Sequence, residues 1–207
     1  MSKECEIIHE FFNSLKRISF PNKNKVVDNG IYVIFEKGEK SHGTNRIVRV
    51  GTHTGESQLN SRLQQHFINE NKDRSIFRKN IGRALLNKNK DNFIELWELD
   101  LTTKKAKDLY KNKIDFSKQA QIEKEITRYM QDNFSIVIIP MKSKEERLRY
   151  ESKIISTISS CTECKASNKW LGLSSPKDKI RKSGLWLVNE TNKTPLSEKD
   201  IEYLRNP

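Results

Sequence analysis

The sequence predicts an α+β (mixed α/β) fold built as one domain over residues 1–207, and three observations carry this prediction. Residues 31–35 and 46–50 are rich in β-branched and aromatic side chains and flank a polar, glycine-containing loop, which favours a long-looped β-hairpin. Residues 135–139 are continuously apolar, as in a strand buried on both faces. Helical periodicity occupies most of the chain around these strands, so strands and helices alternate irregularly.

Each remaining element follows from apolar spacing or from an end signal. Apolar residues recur at helical spacing over residues 5–17, which Pro21 should terminate. Ser143 followed by Glu146 is a helix start signal. The other predicted elements are, in order, a helix around Leu59, Leu63 and Phe67, a helix over 75–87, a strand over 93–101, a helix over 119–131, a helix over 143–159, a strand over 185–188 and a helix after Ser197.

The chain is strongly basic, which is typical of proteins that bind polyanions. Its 39 Lys and Arg exceed its 27 Asp and Glu, for a net charge of +12. Residues 71–90 carry seven basic and one acidic side chain (+6), and residues 165–182 carry six and one (+5). A lysine-rich surface that merely maintains solubility is the alternative interpretation.

Membrane, secreted and zinc-binding classes are all disfavoured. No apolar run approaches the roughly 18 to 20 residues that span a bilayer, and residues 1–19 lack a signal-peptide core, so we expect a cytoplasmic protein without a membrane partner. Cys5, Cys161 and Cys164 are too few for a disulfide framework. The Cys161–Cys164 spacing is that of a metal knuckle, but a structural zinc site needs four ligands and the sequence holds no second pair.

Glu151 is the most informative single residue. Leu148, Ile154 and Ile155 place it in the middle of the apolar face of the helix over 143–159. A buried carboxylate tends to become neutral, whereas a divalent cation would keep it ionised and offset its desolvation. Exposure at the edge of the face, or pairing with Arg or Lys, would explain the position equally well.

Arg62 and His66 project side by side because they are four residues apart on a predicted helix. A guanidinium is always ionised and suits the negative charge that develops at a phosphorus centre. An imidazole beside it can bind a phosphate oxygen or move a proton. An exposed arginine beside a half-buried histidine is the structural alternative.

Together these features resemble the GIY-YIG nucleases. The motif residues are, in chain order, Gly30-Ile31-Tyr32, Gly51, Arg62, His66, Glu151 and Asn168. The similarity covers residues 29–168 and implies a small three-stranded sheet flanked by helices. Residues 88–131 would then be an αβ insertion, and residues 169–207 a basic C-terminal extension.

The resemblance implies a Mg²⁺-dependent endonuclease that hydrolyses DNA, with Mn²⁺ as a substitute ion and a role in restriction, defence or repair. Glu151 would hold the metal, Tyr32 would orient or deprotonate the attacking water, and Arg62 would stabilise the transition state. His66 would assist at the phosphate or in proton transfer, and Asn168 would support the substrate or a metal-bound water. A non-catalytic nucleic-acid-binding protein on the same fold and an RNA-directed nuclease are the alternatives. A dimer is compatible with all three.

The chain departs from the family pattern at Arg49, which precedes Val50 and Gly51 where the second motif has a tyrosine. Arg49 could take over the orientation of water or phosphate, and His53 could contact substrate or accept a proton. The substitution could equally mark a loss of catalysis.

The two basic stretches supply further candidate substrate contacts. We predict phosphate contacts for Arg78, Lys179 and Arg181. Trp170 is either a core residue or a base-stacking platform, with core packing favoured for it and for Trp186.

Overall fold

The computed structural model describes residues 2–22 and 26–205. It confirms the α+β class, with a three-stranded antiparallel sheet in the order β2-β1-β3. The strands are β1 (Gly30–Ser41), β2 (Thr44–Gly51) and β3 (Phe134–Pro140). Among the described residues, no helix has the length and apolar character needed to cross a membrane.

Helices surround the sheet on both faces. In the described residues they are α1 (Ser2–Ser14), α2 (Leu59–Phe67), α3 (Ile76–Lys88), α4 (Phe93–Trp97), α5 (Lys104–Tyr110), α6 (Phe116–Asn133), α7 (Lys144–Ser159), α8 (Asp178–Ser183) and α9 (Glu198–Arg205), with short 3₁₀ helices at Lys72–Arg74 and Leu171–Ser174. Ser143 caps α7 as predicted, since its Oγ accepts a bond from the Glu146 N–H. The helix predicted over 5–17 ends at Ser14, before Pro21, because Ile18 already pairs with Ile136 in an isolated bridge.

The hairpin differs from the predicted long-looped form. Its strands continue to a turn at His42 and Gly43, both of which have positive φ, at 48° and 70°. This left-handed pair suits the twist of a tight hairpin. A bulge at Val48 separates the Phe35–Ile47 pair from the Ile34–Arg49 pair.

Two predicted strands are wrong. Within residues 93–101 the chain forms α4, because Trp97 packs against Gly82 and donates from Nε1 to the Lys79 carbonyl at 3.1 Å. Residues 185–188 form no strand, although the Trp186 N–H donates to the Val48 carbonyl at 2.7 Å. The apolar side chains of both segments pack into the core, and the backbone of neither segment forms a strand of the sheet.

The alternation of side chains along β1 divides the core in two. Ile31, Val33 and Phe35 pack with α1, α7 and α9, whereas Tyr32 and Ile34 pack with α2, α3 and α6. Residues 88–131 contribute Trp97, Ile126 and Met130 to this second core, so the expected insertion forms helices that pack with the sheet. The candidate residues Tyr32, Arg62 and His66 belong to elements of the Tyr32 side, whereas Glu151 lies on α7, which packs on the other side.

Candidate active site

A cavity of about 270 Å³ opens between the end of β2 and α2. Its lining residues are Thr52, His53, Thr54, Gln58, Ser61, Arg62 and Gln65. Arg62 is half-buried here, and its Nη1 donates to Gln65 Oε1 and to the Arg74 carbonyl, both at 3.1 Å. These contacts hold one edge of the guanidinium and place the group in the cavity wall.

A hydrogen-bonded chain of three side chains lies beside this cavity. Tyr32 Oη is 2.8 Å from His66 Nε2, and His66 Nδ1 is 2.6 Å from Ser75 Oγ. Ser75 is the N-cap of α3, where its Oγ also accepts from the Arg78 N–H. Ser75 at the start of α3 therefore orients the imidazole of His66 on α2, which in turn orients the phenol of Tyr32 on β1.

His66 is electrically neutral in this setting. Burial lowers its pKa well below the ordinary value of 6.5, and the nearby charges of Arg49, Arg62 and Arg78 lower it further. A neutral imidazole has one donor and one acceptor nitrogen. When Nδ1 donates to Ser75, Nε2 is the acceptor for the phenolic proton of Tyr32.

Glu151 lies half-buried on α7. Burial raises its pKa to about 7, and a second carboxylate, Glu190, acts in the same direction. Arg49, a hydrogen bond from the Thr52 backbone N–H and Arg62 oppose this rise. Glu151 therefore shares its surroundings with both arginines of the site.

The apolar face of α7 is not arranged as the sequence suggested. Leu148 is 39% exposed, and the buried side of this part of the helix carries Arg147 and Tyr150. Glu151 thus lies at a partly open edge of the face, one of the alternatives left by the sequence.

Arg49 is 6% exposed and points to the Tyr32 side of the sheet. Its guanidinium lies 4.8 Å from the centre of the Phe77 ring and donates from Nη1 to the Trp186 carbonyl. Its buried Nε has no hydrogen-bond partner among the described residues. The charge of Arg49 acts on both His66 and Glu151, so this position supplies a fixed cation where the motif expects a phenol.

A family model described as a GIY-YIG domain matches residues 10–205, almost the whole chain. The chain belongs to the GIY-YIG nuclease family. No curated protein and no solved structure matches it.

The glycines of the GIY-YIG motifs have a direct steric role here. Gly51 lies opposite Tyr32 in the β1–β2 ladder, and a Cβ on Gly51 would overlap the phenol oxygen of Tyr32. A Cβ on Gly30 would overlap the carbonyl of Ile139 on β3. Both positions require glycine because another group occupies the space of a side chain.

Asn168 is not brought to this GIY-YIG site. It is exposed and lines a separate cavity, together with Glu36 and Trp170. Glu36 lies four residues beyond Tyr32 on β1, roughly 13 Å along the strand. The chain after α7 returns over the hairpin end of the sheet, a path that chain order could not predict.

The two tryptophans are core residues, as favoured by the sequence. Trp170 and Trp186 are both buried, and their Nε1 atoms donate to Glu36 Oε2 at 2.7 and 2.9 Å. Tyr129 also donates to this carboxylate. Trp170 therefore offers no free face for base stacking.

Arg78 also has a structural setting that differs from the expected phosphate contact. It is 0% exposed and binds Glu123 Oε2 through Nε at 2.9 Å and Nη2 at 2.7 Å. Its Nη1 donates to the His66 carbonyl at 3.0 Å. A phosphate has no access to this guanidinium, so the side chain has a structural role and binds α2 through the His66 carbonyl.

The remaining candidate substrate contacts differ in whether their side chains are free to bind a ligand. Lys179 is exposed, whereas Arg181 is held by Asp178 and by the Ser175 carbonyl. His53 lines the cavity, but both ring nitrogens meet backbone groups: Nδ1 is 2.7 Å from the Gly55 carbonyl and Nε2 accepts from the Gly30 N–H at 3.4 Å. Burial lowers the pKa of His53, and its two contacts join β1 to the loop between β2 and α2.

Sequence reasoning missed three contributors to the site. Ser75 was visible only as a helix start, although it also orients His66. Thr52 acts through its backbone N–H, which has no sequence signature. Glu190, whose charge acts on Glu151, lies in an irregular segment and accepts a hydrogen bond from Ser152 at 2.6 Å.

The neutral state of His66 predicts a measurable loss of stability in acid. Because its folded-state pKa lies below its unfolded value of 6.5, its contribution is complete above pH 6.5 and declines as the pH falls. Between about pH 7.5 and 5.5 the wild type should lose about 1.4 kcal/mol more unfolding free energy than His66→Gln. Urea unfolding of both proteins measures this difference, in which the titrations of other groups cancel. Equal pH dependence would mean that His66 takes up a proton as readily in the fold as in the unfolded chain.

Proposed function

We propose that this GIY-YIG protein is a metal-dependent endonuclease that hydrolyses phosphodiester bonds in DNA. The observation that carries the proposal is the direct hydrogen bond between Tyr32 and His66, at 2.8 Å, beside a cavity that Arg62 lines. Glu151 is linked to the same cavity through the Thr52 backbone N–H and the charge of Arg62. These residue types supply a proton path, a fixed cation and an oxygen ligand, which phosphodiester hydrolysis uses together.

Glu151 would hold the cation. Its pKa of about 7 reflects a carboxylate that is costly to ionise in its partly buried position, and a divalent cation would offset that cost. Mg²⁺ is commonly bound by one or two carboxylates together with waters and substrate phosphate, so a single glutamate fits it, and Mn²⁺ could replace it. When bound, the metal would polarise a phosphate oxygen as a Lewis acid.

Tyr32 and His66 would move the proton. As the water oxygen bonds to phosphorus, its proton passes to Tyr32 Oη while the phenolic proton passes to His66 Nε2. The bond to the leaving oxygen breaks, and solvent protonates that oxygen. Because Tyr32 is only 1% exposed, the proposal includes a movement of the adjoining Gly51–Thr52 segment when substrate binds.

The two arginines would have separate roles. Arg62 lines the cavity and would contact the phosphate, whose negative charge grows in the transition state. Arg49 is buried and already donates to Trp186, so it would act through its charge, favouring the carboxylate of Glu151.

The charge of the chain supports a nucleic-acid substrate. The net charge of +12 includes the exposed Lys179 in the basic stretch over 165–182. Basic surfaces bind the phosphate backbone without reading its sequence. We propose that DNA binds to this surface as the substrate.

Incubation of the purified protein with supercoiled plasmid, single-stranded DNA and RNA tests the function. We expect nicked and linear plasmid with Mg²⁺ or Mn²⁺ and intact plasmid with EDTA. Cleavage confined to RNA would show that the substrate is RNA and not DNA. Binding to all three without cleavage, in either metal, would mean that the Arg49 variant of the motif is a non-catalytic binding protein.

A further inference from the structure

Four metal-ligand side chains meet at the hairpin end of the sheet, away from the Tyr32–Glu151 site. Cys5 and His9 lie one turn apart on α1, His42 lies in the β1–β2 turn, and Cys164 follows α7. One nitrogen or sulfur atom from each of the four falls within 4.8 Å of the others. The four come from three distant parts of the chain, so only the fold brings them together.

The spacing matches that of ligands around a tetrahedral ion. Zinc bonds of about 2.3 Å to sulfur and 2.0 to 2.1 Å to nitrogen separate a neighbouring S and N by about 3.6 Å. Cys164 Sγ and His9 Nε2 have this spacing, at 3.6 Å. Cys5 Sγ is 3.6 Å from His9 Nδ1, the ring nitrogen that faces the Cys5 carbonyl. Small side-chain rotations would therefore suffice to place one ion among the four groups.

The orientation of His9 also fits a metal ligand. Its Nδ1 lies 2.8 Å from the Cys5 carbonyl, to which an Nδ1–H would donate. Metal-binding histidines almost always direct the second ring N–H to a carbonyl or carboxylate, which leaves the other nitrogen for the metal. His9 Nε2 accepts from the Ile47 N–H at 3.2 Å, and an ion bound at this nitrogen would replace that hydrogen bond.

Burial distinguishes this cluster from a chance surface grouping. Cys5 and His9 are 0% exposed, Cys164 is buried, and the side chain of His42 is 4% exposed. No ligand position is open to substrate, which is the character of a structural rather than a catalytic site.

We propose that Cys5, His9, His42 and Cys164 bind one Zn²⁺ ion. Two sulfur and two imidazole ligands select zinc over Mg²⁺, which prefers oxygen, so this site is chemically distinct from Glu151. The ion joins α1, the hairpin turn and the segment after α7. The knuckle-spaced pair in the sequence contributes only Cys164, and the other ligands replace the missing second pair.

Metal analysis of the full-length protein tests the proposal. After removal of metal by a chelator under reducing conditions, we expect the protein to take up one equivalent of Zn²⁺. Co²⁺ should give the visible bands and thiolate charge-transfer absorption of a tetrahedral site. Zinc should also raise the Tm.

The variants separate this site from its neighbours. Cys164→Ser should bind Zn²⁺ at least about 100-fold more weakly, a larger loss than removing an outer-shell partner causes. Cys161→Ser is the matched control: Cys161 Sγ lies 3.6 Å from His42 Nε2 but outside the group of four, so zinc binding should persist. Glu151→Gln should also retain the zinc, whatever its effect on cleavage.

Several results would overturn the proposal. If the wild-type protein takes up no stoichiometric zinc, the proposal is contradicted. This test does not depend on whether Cys164→Ser folds. An equal loss of zinc in Cys161→Ser contradicts the ligand assignment. A Cys5–Cys164 disulfide that forms in preference to zinc binding would make the cluster a redox pair.

Discussion

Glu151→Gln is expected to reduce cleavage at least about 10³-fold, because a bound metal contributes several kcal/mol to transition-state stabilisation. Glutamine has almost the same shape as glutamate but carries no charge, so it cannot hold Mg²⁺ in the same way. Single-turnover plasmid cleavage at saturating protein measures the loss. Binding of the uncleaved plasmid should change little, since the basic surface is intact.

Stability distinguishes the loss of a metal ligand from the loss of a fold. The pKa of Glu151 is raised to about 7, so its ionised form destabilises the metal-free fold above that pH. Glu151→Gln should therefore unfold at the same Tm as wild type or higher near pH 8. Glu145→Gln, exposed on the first turn of the same helix, is the control and should cut normally. Equal cleavage by Glu151→Gln and wild type would contradict the assigned role.

Arg62→Ala has the second largest expected effect, a loss of about 10²- to 10³-fold in the rate of cleavage. Its guanidinium lies in the cavity wall, where a fixed cation stabilises charge that grows only in the transition state. Arg62→Lys should recover part of the rate, since lysine supplies charge without the planar fork of donors.

The kinetic pattern shows which state Arg62 binds. We expect the rate of bond cleavage to fall while the Kd for DNA changes less than about threefold, a small shift in binding free energy. Arg128→Ala removes the same charge from an exposed position on α6 and serves as the control. A parallel loss of binding and rate would make Arg62 a simple phosphate contact.

Local patterns predicted the elements whose stability is local. Helical periodicity and capping placed α3, α6 and α7 within a few residues of their ends. The errors over 93–101 and 185–188 share a cause. Short apolar segments look alike whether they pack beside a helix or pair in a sheet, and Trp97 and Trp186 both have partners that lie far away in sequence.

The site residues also divide into those that the sequence predicted and those whose setting depends on the fold. The motif order named Tyr32 and His66 as functional candidates, and the fold joins them by a hydrogen bond. Arg78 was misjudged because the charge of a residue type says nothing about its partner, here the buried Glu123. Asn168 was misjudged because order along the chain does not specify the path of the segment after α7.

By itself, the sequence determined the family, the fold class and the residue types available for chemistry, since these depend on motif identity and local periodicity. Only the tertiary structure decided that Arg49 points to the Tyr32 side, that Glu151 lies at a partly open edge among two arginines, and that Cys5 and Cys164 meet His9. These facts depend on strand register, on burial and on where distant segments return. Each of them is set by the packing of the whole chain.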